Sequence, residues 1–197
     1  MTTRLSALPL SNWVTQLQGL RDAVEPRAVR VVALARARWL FRSVQSVGSN
    51  VAAYGPMSVK NEGTISLGDR LTFVGGMMPS SLVCHPGARL SIGADAQFNY
   101  GVSLEAWESV TIGDRCMFAS FVRVGDRDGH RTAPIVLEED VWVAHGAIIM
   151  PGVRVGARSV VSAGSIVTHD VPPDSLAMGN PARNMSLELV ARESSGT

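Results

Sequence analysis

Charge is scarce in this sequence: 18% of its 197 residues are Asp, Glu, Lys or Arg, and they nearly cancel to a net +1. A nucleic-acid binder carries a strong basic excess, so that class is set aside. Aromatic residues are also few, at 6%, which suits a narrow interior. Two cysteines, Cys84 and Cys116, are too few for a disulfide framework. No apolar run approaches the roughly 18–20 residues of a membrane span. The N-terminus lacks an uninterrupted apolar stretch before a small-residue cleavage site, so no signal peptide is expected and a cytoplasmic protein is the expectation. The length suffices for one core with a small appendage.

What is present is a period of six. Leu137, Val143, Ile149, Val155, Val161 and Val167 follow one another at that spacing without a slip. Four places after each stands a small or β-branched residue: Val141, Ala147, Val153, Ser159, Ser165 and Val171. Such a period fits neither an amphipathic helix nor an alternating strand. It fits a short strand and a tight turn, repeated, with one side chain per repeat entering a central column, the signature of a parallel β-helix. One such unit cannot bury its apolar residue alone, so three make a coil and the coils stack. Asp140, Gly146, Gly152, Arg158, Gly164 and Asp170 hold the turn position, where Gly and Asp tolerate positive φ.

Three segments follow. Residues 1–50 form an N-terminal helical, Arg-rich segment. The β-helix covers 51–180, with a projecting loop at 125–136. Residues 181–197 form a tail whose last part reads as a short helix. Within the first segment, residues 27–44 are Ala-, Leu- and Arg-rich, and no acidic residue stands between Glu25 and Glu62. Two readings of this helix remain open. Either it packs Val29, Val32, Trp39 and Leu40 on the first coil and solvates its arginines, or its basic face makes peripheral contact with an anionic membrane surface or a lipid-linked substrate. The register from Ile92 through Phe98 and Leu104 is regular, then slips to eight at Ile112, so two residues bulge near Ala106-Trp107. His85, in a Cys-His-Pro-Gly turn, reads as solvent-exposed. After Val124 the period stops and resumes at Leu137; loops on rigid scaffolds are where chemistry concentrates. Pro172-Pro173 ends the ladder.

Ile112-Gly113-Asp114, Asp126 to His130, Val141-Trp142-Val143-Ala144, Ser162-Ala163-Gly164-Ser165, Asp170-Val171-Pro172-Pro173 and Gly179-Asn180-Pro181-Ala182-Arg183 together resemble the hexapeptide-repeat acyltransferases. The branch they resemble most is that of the sugar and polysaccharide O-acetyltransferases, such as the maltose, galactoside and capsule or exopolysaccharide enzymes. The resemblance covers residues from about 60 to 185 and implies a mainly β chain folded as a left-handed parallel β-helix. It also implies a homotrimer, and acetyl-CoA as co-substrate in a groove between neighbouring subunits. His130 matches the catalytic loop position. Asn99 matches an acceptor-side position, and Asp126 and Asp128 flank His130 as orienting or acceptor-binding carboxylates. Trp142, Ala144, Ser162, Ala163, Gly164 and Arg183 match the coenzyme groove. The family's Thr-Lys-Asp before the prolines is Thr168-His169-Asp170 here, a weaker phosphate partner.

Acetyl transfer from a thioester to a hydroxyl needs a base for the attacking proton, and a histidine with an ordinary pKa near ~6.5 suits that task. No metal is expected: a γ-class carbonic anhydrase needs zinc-ligating histidines a few residues apart, and His85, His130, His145 and His169 include no such pair. Cys116 falls in the small-residue column, so a silent, buried thiol is expected. Two other functions stay open: N-acetylation of an amino sugar, and a non-enzymatic structural or assembly subunit.

Overall fold

The computed structural model describes residues 27–129 and 131–188. Helix α1 (Arg27–Leu40) comes first. The chain then winds into coils of three short strands. The first coil holds β1 (Ser46–Val47), β2 (Ala52–Ala53) and β3 (Met57–Asn61). The second holds β4 (Thr64–Leu67), β5 (Thr72–Phe73) and β6 (Ser80–Cys84). The third holds β7 (Arg89–Ile92), β8 (Gln97–Phe98) and β9 (Ser103–Ala106). The fourth holds β10 (Ser109–Ile112), β11 (Met117–Phe118) and β12 (Arg123–Gly125). The fifth holds β13 (Ile135–Leu137), β14 (Trp142–Val143) and β15 (Ile148–Ile149), and the sixth β16 (Arg154–Val155), β17 (Val160–Val161) and β18 (Ile166–Val167). Finally β19 (Ser175–Gly179) and β20 (Ala182–Ser186) cap the column.

Among the described residues the strands form three sheets, the faces of a parallel β-solenoid of triangular section. The first face runs β1-β4-β7-β10-β13-β16, the second β2-β5-β8-β11-β14-β17-β19-β20, and the third β3-β6-β9-β12-β15-β18. Each strand pairs in parallel with the equivalent strand one coil away, so like residues stack: Phe73, Phe98, Phe118, Val143 and Val161 share one register column.

Two side chains per repeat enter the interior, one more than the period suggested. In the regular stretch both the aliphatic series and the small series are buried, as at Val141 and Val143, while Trp142 between them faces outward. Strand alternation explains this: residues two apart point the same way. In the lower coils the column is filled by a run of rings. Phe41 meets Phe73 at 5.4 Å between centroids, Phe73 stacks on Phe98 at 4.9 Å, and Phe98 on Phe118 at 4.8 Å.

The corner between the first and second faces is set by backbone geometry. At Gly48, Gly68 and Gly113 the backbone of the next coil lies 2.4 to 2.6 Å from where a Cβ would stand, so only glycine fits. Two residues further on stands a column in the left-handed region: Arg70 (φ 55°), Asp95 (60°), Arg115 (57°), Asp140 (59°), Arg158 (59°) and Asp174 (55°). Arginine is unusual there, since its Cβ crowds the carbonyl. Here each arginine forks onto the aspartate of the next coil, Arg70 on Asp95, Arg115 on Asp140 and Arg158 on Asp174, at 2.6 to 2.7 Å. These pairs are largely exposed, so each contributes little alone, although bidentate geometry is the favourable case.

Two expectations change. Helix α1 buries Ala33 and Ala37, and Phe41 just beyond it, and Leu40 packs partly against the core, whereas Val29, Val32 and Trp39 are 46%, 58% and 64% exposed. Alanine allows the close approach to β2, itself Ala52-Ala53, that a bulkier contact would prevent. Pro172-Pro173 does not end the ladder, because the prolines occupy a corner and not a strand. Gly156 packs against them, and β19 then adds in parallel to β17. The tail expected from residue 181 begins as β20, antiparallel to β19; the helix expected at its end falls largely outside the described residues.

Phe98→Ala removes the middle of the ring stack. It is expected to lower unfolding free energy by about 3–5 kcal/mol, measured as a fall in the urea midpoint at unchanged m-value.

Candidate functional site

The chain leaves the column between Gly125 and Ile135, at the corner between the third and first faces. Asp126, the first residue out, is fully buried. Its carboxylate accepts the backbone N–H groups of Trp107 (2.7 Å), Glu108 (2.8 Å) and Ser109 (2.7 Å). Trp107 and Glu108 form the bulge between β9 and β10, and Ser109 opens β10. The two irregularities in the sequence, the slip of eight and the missing repeat, are thus one feature. Asp126 fastens the bulge to the root of the loop, so its carboxylate is engaged in holding backbone.

The loop is closed on itself. Arg127 and Thr132 form an antiparallel bridge, the Arg131 amide donates to Asp128 Oδ1 at 2.9 Å, and the Ala133 amide donates to the Asp126 carbonyl at 3.0 Å. The Gly152 amide donates to the Ala133 carbonyl at 3.0 Å, tying the loop's far end to the coil above. His130, the expected base, lies outside the described residues. Asp128 lies in this hairpin, and Gly129 beside it has φ +95°.

Beneath the loop, on the same corner, lies a cluster that sequence reasoning missed. His85, Trp107 and Arg127 occupy equivalent places in three successive coils, as the β6-β9-β12 register requires. The His85 ring stacks on Trp107 at 3.4 Å between centroids, and the Arg127 guanidinium lies 4.3 Å from the Trp107 ring. Glu105 Oε1 accepts Trp107 Nε1–H at 3.0 Å and lies 3.0 Å from His85 Nε2. The His85 side chain is therefore only 16% exposed, not the solvated turn histidine expected. The signal was available: the three residues are one coil apart once the bulge is counted.

The remaining expected site residues gather on another corner, between the second and third faces. Asn99, Ala144 and Ser162 follow β8, β14 and β17 directly, so they line up along the column. Asn99 Oδ1 accepts the Tyr100 amide at 2.8 Å. The Ala144 amide donates to Val161, the Ser162 amide to Ala177 and the Gly164 amide to His145, all carbonyls one coil away. Ala163 and Gly164 are exposed, and nothing lies within 4 Å of where a Gly164 Cβ would stand. This is a smooth, small-residue ridge. Beside it His145 Nδ1 lies 2.9 Å from Ser120 Oγ, and its ring meets Phe121 edge-on at 5.4 Å.

Trp142 stands on the outer surface of the second face, 41% exposed, in a register column with Met117, Val160, Leu176 and Met185. Arg183 is exposed on β20. Within one chain, then, the ridge and the loop lie at opposite ends of the third face. A strand such as β9 alone separates them by about 10 Å. Cys116 is buried in the column, and desolvation pushes its thiol up to about 12, so it carries no thiolate at neutral pH.

The family described as bacterial transferase hexapeptide (six repeats) matches residues 134–169. Nodulation protein L of Rhizobium meliloti is 32% identical over 173 residues, covering 82% of this chain and 90% of that protein. The chain belongs to the hexapeptide-repeat transferase family. Galactoside O-acetyltransferase of Escherichia coli is 33% identical over 108 residues, 49% of this chain and 53% of that one. The chain spans about a quarter to a half of the length of several such curated relatives. Among solved structures, AntD, an N-acyltransferase from Bacillus cereus in complex with dTDP and 3-hydroxybutyryl-CoA, shares the fold with a TM-score of 0.66 at 20% identity, covering 81% of this chain and 93% of that one. In this chain the repeat supplies the column, Asp126 fastens the loop, and the His85-Trp107-Arg127 stack lies beneath it.

Asp126→Ala strands three backbone amides. It is expected to destabilise by about 3–5 kcal/mol and to open the loop to trypsin at Arg127 or Arg131, read by thermal melts and limited proteolysis.

Proposed function

We propose that this chain transfers an acetyl group from acetyl-CoA to a hydroxyl of a sugar or polysaccharide precursor, in a groove formed between neighbouring copies of a homotrimer. The observation that carries this reading is the separation of the small-residue ridge from the loop on two corners of one solenoid. A second copy packed alongside brings the ridge of one against the loop of the other. The apolar outer column Met117, Trp142, Val160 and Leu176, with Ile148 and Ile166 on the third face, supplies a surface for that packing. The names of the galactoside O-acetyltransferases support the activity and the sugar class.

Each residue then has a task. The ridge of Ala144, Ser162, Ala163 and Gly164 lets a thin pantetheine arm lie against backbone, with Trp142 beside it and Arg183 toward the phosphates. Asn99 contacts the acceptor. His130 accepts the hydroxyl proton as the oxygen attacks the thioester carbonyl. The C–S bond then breaks, the acetyl ester forms, and the coenzyme leaves as a thiol with the proton returned by the imidazolium. Asp128, in the same hairpin, orients the imidazole, and Asp126 fixes the hairpin's root. The transfer is direct, and the Cys116 thiol, buried inside the column, takes no part in it. The contact with a membrane belongs to α1, on the opening coil.

Calorimetry with acetyl-CoA tests the donor: micromolar affinity is expected, and no binding at millimolar ligand by a folded protein would rule the reading out. His130→Ala is expected to lower kcat by about 10²-fold or more, and near-normal turnover would remove His130 from the mechanism. Cys116→Ala should leave kcat unchanged. Competition between sugars and amino sugars decides between O- and N-acetylation.

A further inference from the structure

Helix α1 turns a second apolar strip to the solvent. Its inward line is Ala33, Ala37 and then Phe41. At 100° per residue the opposite line is Ala28, Val31, Val32, Ala35 and Trp39. All five are exposed, Val31 and Trp39 at 64% each and Val32 at 58%. Arginines border this strip on both sides: Arg27 and Arg38 along one edge, Arg36 along the other. The Arg42 guanidinium lies 4.5 Å over the Trp39 ring. A groove of about 340 Å³ beside the strip, lined by Val29, Val32, Arg36 and Tyr54 among others, extends the apolar surface toward the first coil.

Exposed valines and a tryptophan between flanking arginines are costly in water. Lying in the boundary of an anionic bilayer satisfies both parts: the apolar strip enters the acyl edge, the indole sits at headgroup level, and the guanidinium groups meet lipid phosphates. Charge selects this occupant. No acidic residue stands between Glu25 and Glu62, and residues 1–26 carry as many acidic as basic side chains, so they offer no negative excess to match the arginine rims. The helix has 14 residues, and no described helix is long and apolar enough to cross a membrane, so the contact is one of lying upon and not of spanning.

We infer that α1 docks this protein on the surface of an anionic membrane through the strip Val31, Val32 and Trp39 and its arginine borders. The docking is independent of acetyl transfer, because the strip sits at the opening coil and the loop four coils along the column.

The test is co-sedimentation of the full chain with vesicles of phosphatidylglycerol and phosphatidylcholine, and with vesicles of phosphatidylcholine alone. Preferential partition to the anionic vesicles, weakening as salt rises, is expected. Arg36→Gln with Arg38→Gln should lower the partition coefficient about 25-fold, roughly fivefold per arginine. Val31→Ser with Trp39→Ser should lower it at least about tenfold. Circular dichroism and acetyl-CoA binding are expected to stay unchanged in both, since these side chains face outward. Equal partition to both kinds of vesicle, or undiminished partition by the folded variants, overturns the inference. So does a change in oligomeric mass in the serine variant when the parent protein does not sediment with vesicles, which would give the strip to a second copy of the chain.

Discussion

Everything in this molecule depends on coils lying one backbone spacing apart. Each short strand donates and accepts its hydrogen bonds from the equivalent strands above and below, so no strand is stable alone and register is inherited from neighbour to neighbour. That spacing leaves no room for side chains where corners stack, hence the glycines at 48, 68 and 113. It also brings like residues into columns, so a favourable pair recurs. The Phe stack inside and the alternating Arg and Asp outside are two results of the same repeat.

The three corners have diverged under this single constraint. One is tightened by glycine and by forked ion pairs, and is structural. The second is a ridge of small residues, with Ala144 and Ser162 to Gly164 in line. The third gives up regularity: two residues bulge after β9, nine leave the column after β12, and one buried carboxylate, Asp126, holds both departures. A buried carboxylate without partners would be strongly destabilising; with three amides it becomes a rigid root for a projecting loop. Rigidity at the root is what a loop needs if it is to place a reacting group.

The ends of the column are treated differently again. Residues Ser175 to Ser186 turn back as a hairpin that covers the last coil of the second face and leaves no parallel edge there. At the other end α1 covers the first coil by way of alanine. Val31, Val32 and Trp39 are left outside, an arrangement that favours a partner surface over simple capping.

The period of six in Leu137 to Val171 by itself determined the parallel solenoid, because no other regular backbone repeats at that spacing. The slip at Ile112 and the gap after Val124 likewise marked the bulge and the loop. Tertiary structure alone decided that these two are joined by Asp126, since a carboxylate's partners depend on which amides a neighbouring coil leaves unpaired. It also decided that His85 stacks under Trp107, 22 residues away in sequence and one coil away in space. For α1 the composition was legible and the orientation was not. A wheel gives the relative placing of arginine and valine, but which side turns inward depends on how closely the coil beneath must be approached, and there alanine fits where valine and tryptophan do not.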